Sequence, residues 1–194
     1  MASDSAEDEP GDVITDSGPT GEGPDDGGVR SPWPLLAGIG LVVIVIDQIT
    51  KWWAVAELDG GRRIELFWTA QFRLVRNDGA AFSLGSGLTP LISIAAMAIT
   101  VAVIVAAHRF ADQPRVVGAL GLVLGGAIGN LIDRFFRPGD GFLAGHVIDF
   151  IDFQWYPVFN IADIGVVCGG ILVVLLLRKT MTGDEEPETQ TADH

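Results

Sequence analysis

Asn130, Asp133, Arg134, Asp149, Asp152, Asn160 and Asp163 lie close to or within long apolar runs, all inside the stretch from Gly125 to Asp163. Ionisable groups at membrane depth are costly, which makes them functional candidates. Two carboxylates brought together at low dielectric cannot both ionise cheaply, so one keeps a proton and the other stays charged. Such a pair supplies an acid and a base at once. The base can take a proton from water as it attacks a peptide carbonyl, while the acid polarises that carbonyl and the leaving amine is protonated later. Asp163 is the natural choice for one partner, at the mouth of an apolar run. Asp133, Asp149 and Asp152 stay open for the other. Asp133 stands beside Arg134 and has a structural reading, and periodicity does not separate Asp149 from Asp152. The chain has no Gly-x-Ser-x-Gly elbow and no His-Glu-x-x-His motif, so serine and zinc mechanisms find no support.

The elements that must position these groups are four apolar runs. The 194 residues are 48% hydrophobic, and mean hydropathy is +0.38. The acids crowd the ends, so the formal charge of −13 fits one membrane domain over 31–180 between disordered acidic tails, 1–30 and 181–194. The middle carries no basic stripe, which argues against nucleic acid. The N-terminal tail lacks the basic start and apolar core of a signal peptide. Spans are expected at about 33–56, 88–107, 115–136 and 158–177, each close to the roughly 20 residues that cross a hydrocarbon core. Residues 57–87 mix β-favouring and polar side chains around the Asn77-Asp78-Gly79 turn signal, which predicts a small strand-rich cap on the membrane surface. The fold class is therefore an all-α bundle of four transmembrane helices with that cap.

Asp47 and Lys51 close the first span at i,i+4 and share a face. Trp52 and Trp53 follow, as expected at a membrane interface. The third span carries Gly118, Gly121, Gly125, Gly126 and Gly129, a pattern for close helix packing rather than a phosphate loop. The single Cys168 lies in an apolar run and reads as a buried small hydrophobe. His108 reads as a solvated loop residue.

Spans joined by loops alternate in direction. The end of the first, the start of the second, the end of the third and the start of the fourth therefore share one membrane side. Asp47, Lys51, Asn77, Asn130, Asp133, Arg134, Asn160 and Asp163 all fall on it. A bare count of cations, Lys51, Arg62, Arg63, Arg73, Arg76, Arg134 and Arg137 there against Arg30, Arg109, Arg115, Arg178 and Lys179 opposite, would put the polar side in the cytoplasm. Several of the first set lie in a section expected to fold or to form ion pairs, which weakens that count.

Five motifs in order, DQITK at Asp47–Lys51, RNDGAAFSL at Arg76–Leu84, GGAIGNLIDR at Gly125–Arg134, HVIDF at His146–Phe150 and FNIAD at Phe159–Asp163, resemble bacterial lipoprotein signal peptidase, also called signal peptidase II. The resemblance covers all four spans and omits only the tails. It implies that Asp149 and Asp163 form the catalytic dyad and that Asp152 lies outside it. It further implies that Asp47, Lys51, Asn77, Gly79, Ala80, Gly126, Asn130, Asp133, Arg134, Val147, Phe159, Asn160 and Ala162 bind substrate or order the pocket. The implied reaction removes signal peptides from diacylglyceryl-modified prolipoproteins, just before the lipidated cysteine, at the outer face of the bacterial cytoplasmic membrane. Both termini would then be cytoplasmic. Globomycin would inhibit, no metal or organic cofactor is implied, and a single chain embedded in membrane lipid would suffice as a monomer. Asp78 adds an acid inside the asparagine–glycine turn, a departure that leaves the dyad untouched.

A proton-coupled transporter also uses membrane carboxylates, but it usually holds them near the midplane within inverted repeats. No repeat is visible here. A non-enzymatic scaffold would leave the one-sided polar cluster unexplained.

Overall fold

The computed structural model describes residues 31–79, 89–139, 141 and 143–183. The expected acidic tails and Ala80 fall outside them, apart from the first residues of the C-terminal one. Four helices are long and apolar enough to span a membrane: α1 (Trp33–Leu58), α2 (Thr89–Arg109), α3 (Pro114–Phe136) and α4 (Ile161–Gly183). α3 opens with Pro114 at its first position, where a missing N–H costs nothing. It is the hub, packing against α1, α2 and α4, and most of its apolar surface is covered by protein while the other three helices expose most of theirs. Leu41, Ile49, Val101 and Leu175 are among the side chains turned outward, as lipid permits.

Glycines allow that packing. A Cβ on Gly125 would stand 2.6 Å from Gly40 O on α1. One on Gly126 would collide with Ala162 O at the start of α4. α3 thus meets one neighbour on each side of a Gly-Gly pair, and backbone contact replaces side-chain interdigitation.

The cap is a three-stranded antiparallel sheet in the order β1 (Arg63–Phe67), β2 (Ala70–Asn77), β3 (Val147–Asp152). Its third strand comes from the later half of the chain, whereas the sequence reading confined the cap to 57–87. Asn77 pairs with Val147 and Val75 with Asp149, across an irregularity between Phe72 and Val75. Ile148 and Phe150 pack with Ala54 and Leu58 of α1. Trp53 meets Phe72 edge-on at 5.3 Å, which seats the sheet on the end of that helix. Successive strand residues face opposite ways, so Asp149, between Ile148 and Phe150, turns away from this apolar contact.

Two expectations are corrected. Cys168 is exposed on α4, not buried, because a membrane helix puts its outward apolar positions into lipid. His108 lies in the last turn of α2 and stacks on Trp33 at 6.3 Å, so it is not a loop residue.

Candidate active site

Lys51 is the electrostatic centre. Its ammonium lies 2.8 Å from Asp47 Oδ2 and 2.9 Å from Asp133 Oδ2, and it donates to Asn130 Oδ1 at 2.9 Å. Lys51 and Asp47 are fully buried. An ammonium has three donors and no acceptor, and here each finds an oxygen. Buried charges persist only when matched in this way.

This arrangement orients the amides. Lys51 can only donate, so Asn130 must present its oxygen to Lys51 and its Nδ2 to Asp163 Oδ1, at 2.9 Å. The oxygen of Asn77 accepts from the Gly79 N–H at 2.8 Å, which leaves its Nδ2 to donate to Asp149 Oδ2 at 2.8 Å. Gly79 has φ +90°, a conformation glycine adopts without strain. Asn160 Oδ1 accepts from the Asp163 N–H at 3.0 Å, so its Nδ2 faces Asp149 Oδ1 at 2.7 Å. The backbone N–H of Asn160 donates back to Asp163 Oδ2 at 3.1 Å, giving a reciprocal cap at the start of α4. Three asparagines therefore aim donors at two carboxylates, Asp149 and Asp163, and Asn160 touches both.

The surrounding residues lock this geometry. Asp47 Oδ1 accepts from the Ala162 N–H at 3.0 Å, tying α1 to the first turn of α4. Asp133 accepts from the Ile148 N–H at 3.1 Å, the residue before Asp149, and pairs with Arg137. Arg134 donates to Asn77 O at 3.1 Å and Gly145 O at 2.9 Å. Phe159 O accepts from the Phe150 and Ile151 N–H groups, holding the approach to α4 against β3. Gly126 allows Ala162 to approach α3 closely, and Val147 lines the adjoining cleft. Sequence reading missed Gln48, which donates to Asp47 and to Gly129 O, and Ser93, whose hydroxyl donates to Leu143 O. Gln48 sits inside the DQITK motif, so its polarity at membrane depth was a usable signal; Ser93 in an otherwise apolar span was a weaker one.

Asp152 is separated from this group by its partners. It accepts from Gln71 and Arg73 at 2.7 and 2.8 Å and from the Gln154 N–H at 2.7 Å. Its burial would raise the carboxyl, but the donations from Arg73, Gln154 and Gln71 outweigh that and hold it below the usual range. Asp149 behaves oppositely. Burial pushes it up to about 6; the Asn77 and Asn160 donations and the charge of Lys51 oppose this, and the neighbouring Asp163 adds to it.

Asp149 lines two cavities. One, of about 630 Å³, lies over the sheet with Arg63, Arg73 and Arg76 in its walls. The other, of about 330 Å³, is largely apolar, lies between α2, α3 and α4, and also holds Asp163. A peptide crossing from membrane to surface would pass the two carboxylates. Among the described residues, no group of three or more His, Cys, Asp or Glu is arranged to hold a metal ion; the ammonium of Lys51 occupies the point where the Asp47 and Asp133 carboxylates and the Asn130 amide oxygen converge.

Four spans, a surface sheet and buried carboxylates at one end of the bundle define a multi-pass membrane protein with an enzyme-like site. Two solved structures described as bacterial membrane enzymes match it with TM-scores of 0.63 and 0.62. The first is 28% identical, over 81% of this chain and 95% of that one. A family model described as Signal peptidase (SPase) II matches residues 39–179. The lipoprotein signal peptidase of Rhodococcus jostii is 44% identical over 176 residues, 90% of this chain and 86% of its own length. That of Mycobacterium tuberculosis H37Rv is 43% identical over 144 residues, 73% of this chain and 70% of its own. The chain belongs to the signal peptidase II family, the proteases that remove signal peptides from prolipoproteins.

Proposed function

We propose that this chain is an aspartic endopeptidase in which Asp149 and Asp163 cut a diacylglyceryl-modified prolipoprotein just before its lipidated cysteine. The observation that carries this reading is Asn160, whose side chain donates to Asp149 and whose backbone donates to Asp163. One residue thereby fixes both carboxylates beside a cleft that reaches into the membrane. In this reading Asp149, whose neutral form burial favours, is the member that holds the shared proton. Asp163 takes a proton from water as the water oxygen bonds to the scissile carbonyl carbon, and Asp149 gives its proton to the carbonyl oxygen. When the tetrahedral intermediate collapses, the C–N bond breaks and the proton on Asp163 passes to the leaving amine. Return of the hydroxyl proton to Asp149 restores the pair. Lys51 and the three asparagines are positioning residues; they hold the carboxylates in place.

The apolar cleft between α2, α3 and α4 suits the lipid-embedded part of such a substrate, and the polar cavity over the sheet suits the part that leaves the membrane. In this reading one chain suffices, because the two carboxylates and the asparagines that hold them all belong to it. The site is then extracytoplasmic and both termini are cytoplasmic, as the family resemblance implies, although the bare cation count runs the other way. Of the cations at the dyad end, Lys51 and Arg134 are buried, and Arg62, Arg73, Arg76 and Arg137 are ion-paired with Glu57, Asp152, Asp59 and Asp133. The bare cation count therefore overstates what that side offers a membrane surface.

Cleavage rates of Asp149→Asn, Asp163→Asn and Asp152→Asn on a lipid-modified prolipoprotein test the assignment. The first two should lose about 10³-fold or more, within the range of positioned acid–base groups, while the third keeps most of its activity. An Asp152 variant as inert as the other two, with all three folded, would move the dyad.

A further inference from the structure

Asp163 and Val167 line two spaces, one on each side of α4. The first is the apolar cleft of about 330 Å³ shared with α2 and α3. The second, of about 210 Å³, is walled by Tyr156, Phe159, Ile164 and Cys168. Ile164, Val167 and Cys168 are exposed on α4, so this groove faces the surrounding bilayer. Its end nearest the dyad is built from rings. Phe159 meets Tyr156 edge-on at 5.9 Å and Phe153 at 5.8 Å, and the Phe159 backbone is bonded to β3. Tyr156 also lines the polar cavity over the sheet, so it stands where a ring with one wet end belongs, at the membrane–water boundary. Deeper in the bilayer, Ile171 and Leu175 continue the stripe of Ile164 and Cys168 along one exposed face of the helix.

On the peptidase reading, on which this inference rests, the substrate brings two apolar parts to one bond: a signal peptide and the acyl chains carried by the cysteine. A helix about 10 Å across with a 5.4 Å pitch displaces roughly 400 Å³ per turn. One such turn would fill the cleft between α2, α3 and α4, of about 330 Å³. The chains need another course that also begins at Asp163. We propose that the acyl chains of the lipidated cysteine lie in the groove between Tyr156 and Cys168 and run down the exposed face of α4. That helix then separates the lipid from the signal peptide, and Tyr156 sits beside the glyceryl esters. Bilayer lipid has the same chemistry as these chains, so their burial adds little. What the groove contributes is position: it holds the modified cysteine, and with it the scissile carbonyl, in place against Asp149 and Asp163. The small side chain of Cys168 leaves the course open.

The test uses a lipid-modified prolipoprotein whose acyl chains carry a diazirine, bound in detergent to full-length Asp149→Asn, which should hold it uncut. Irradiation and peptide mass mapping then locate the chains. Adducts should fall on Tyr156, Phe159 and the outer face of α4 from Ile164 to Leu175. Adducts on Ile92, Ala96 and Ile99, which line the cleft from α2, would overturn the assignment. Kinetics supply the second readout. Cys168→Trp fills the groove from an outward position, so the unfolding midpoint should hold while kcat/KM falls about tenfold or more, as misplacing a reacting bond does. Cys168→Ser should cut near the wild-type rate. So should Val101→Trp, which is equally outward on α2 but lines neither space. Wild-type cleavage by Cys168→Trp, or an equal loss in Val101→Trp, would also overturn the assignment. A wild type that leaves the unlabelled substrate whole is a different failure, because it removes the peptidase reading underneath.

Discussion

Amide direction governs the site at the residue scale. Asn130 has Lys51 on one side and Asp163 on the other, so its oxygen and nitrogen cannot exchange places without losing both bonds. Asn130→Asp keeps the acceptor for Lys51 but presents a second oxygen to Asp163. Loss of one aimed donor commonly costs about 10²-fold or more in kcat, and a drop of that size in the cleavage rate, with thermal stability retained, is expected. Asp149 sets a pH dependence whose sign can be worked out. Folded, its carboxyl keeps a proton until about 6, whereas an unfolded aspartate releases one near 4. Between those values the folded chain binds more protons, so Asp149 makes stability fall as pH rises through the window and then level off. Unfolding midpoints in detergent from pH 4 to 7 should show that slope, and Asp149→Asn should flatten it.

Helix spacing governs which residues meet at the scale of elements. α3 approaches α1 at Gly125 and α4 at Gly126, and these contacts bring Asp47, Asn130 and Asn160 into one network. Gly125→Val should lower the unfolding midpoint and the folded yield, because there is backbone and Val43 where the side chain would go; overpacking costs about 1–3 kcal/mol. Gly38→Ala, with nothing within 4 Å of the added carbon, should be near neutral or slightly stabilising. Measuring both in the same detergent separates packing from helix propensity. Span positions were legible because an apolar run of about twenty residues has few structural uses besides crossing a bilayer. β3 was not, because VIDFID is short and alternates imperfectly, and its partner β2 lies some seventy residues earlier. Without that strand, Asp149 and Asp152 looked equivalent. With it, their partners differ: Asn77 and Asn160 for one, Gln71 and Arg73 for the other.

For the whole molecule, topology carried the strongest inference from sequence. Alternating spans required the polar groups to share one end, and the structure brings Asp47, Lys51, Asn77, Asn130, Asp133, Arg134, Asn160 and Asp163 together there. Charge counting treats every cation alike, whereas Arg73 and Arg137 are paired with the buried carboxylates of Asp152 and Asp133. Cys168 was misread for a related reason. Apolar surroundings in a membrane protein are as often lipid as protein, and α4 turns that residue outward. The central claim is that two carboxylates cut one peptide bond at one place. The most direct measurement is the mass of the products formed from a lipid-modified prolipoprotein by the purified protein, beside Asp149→Asn and Asp163→Asn. Wild type should release a product that begins with the diacylglyceryl cysteine, and both variants should leave the substrate whole while unfolding near the wild-type temperature. Cleavage at another bond, or an unchanged product from either variant, would contradict that claim.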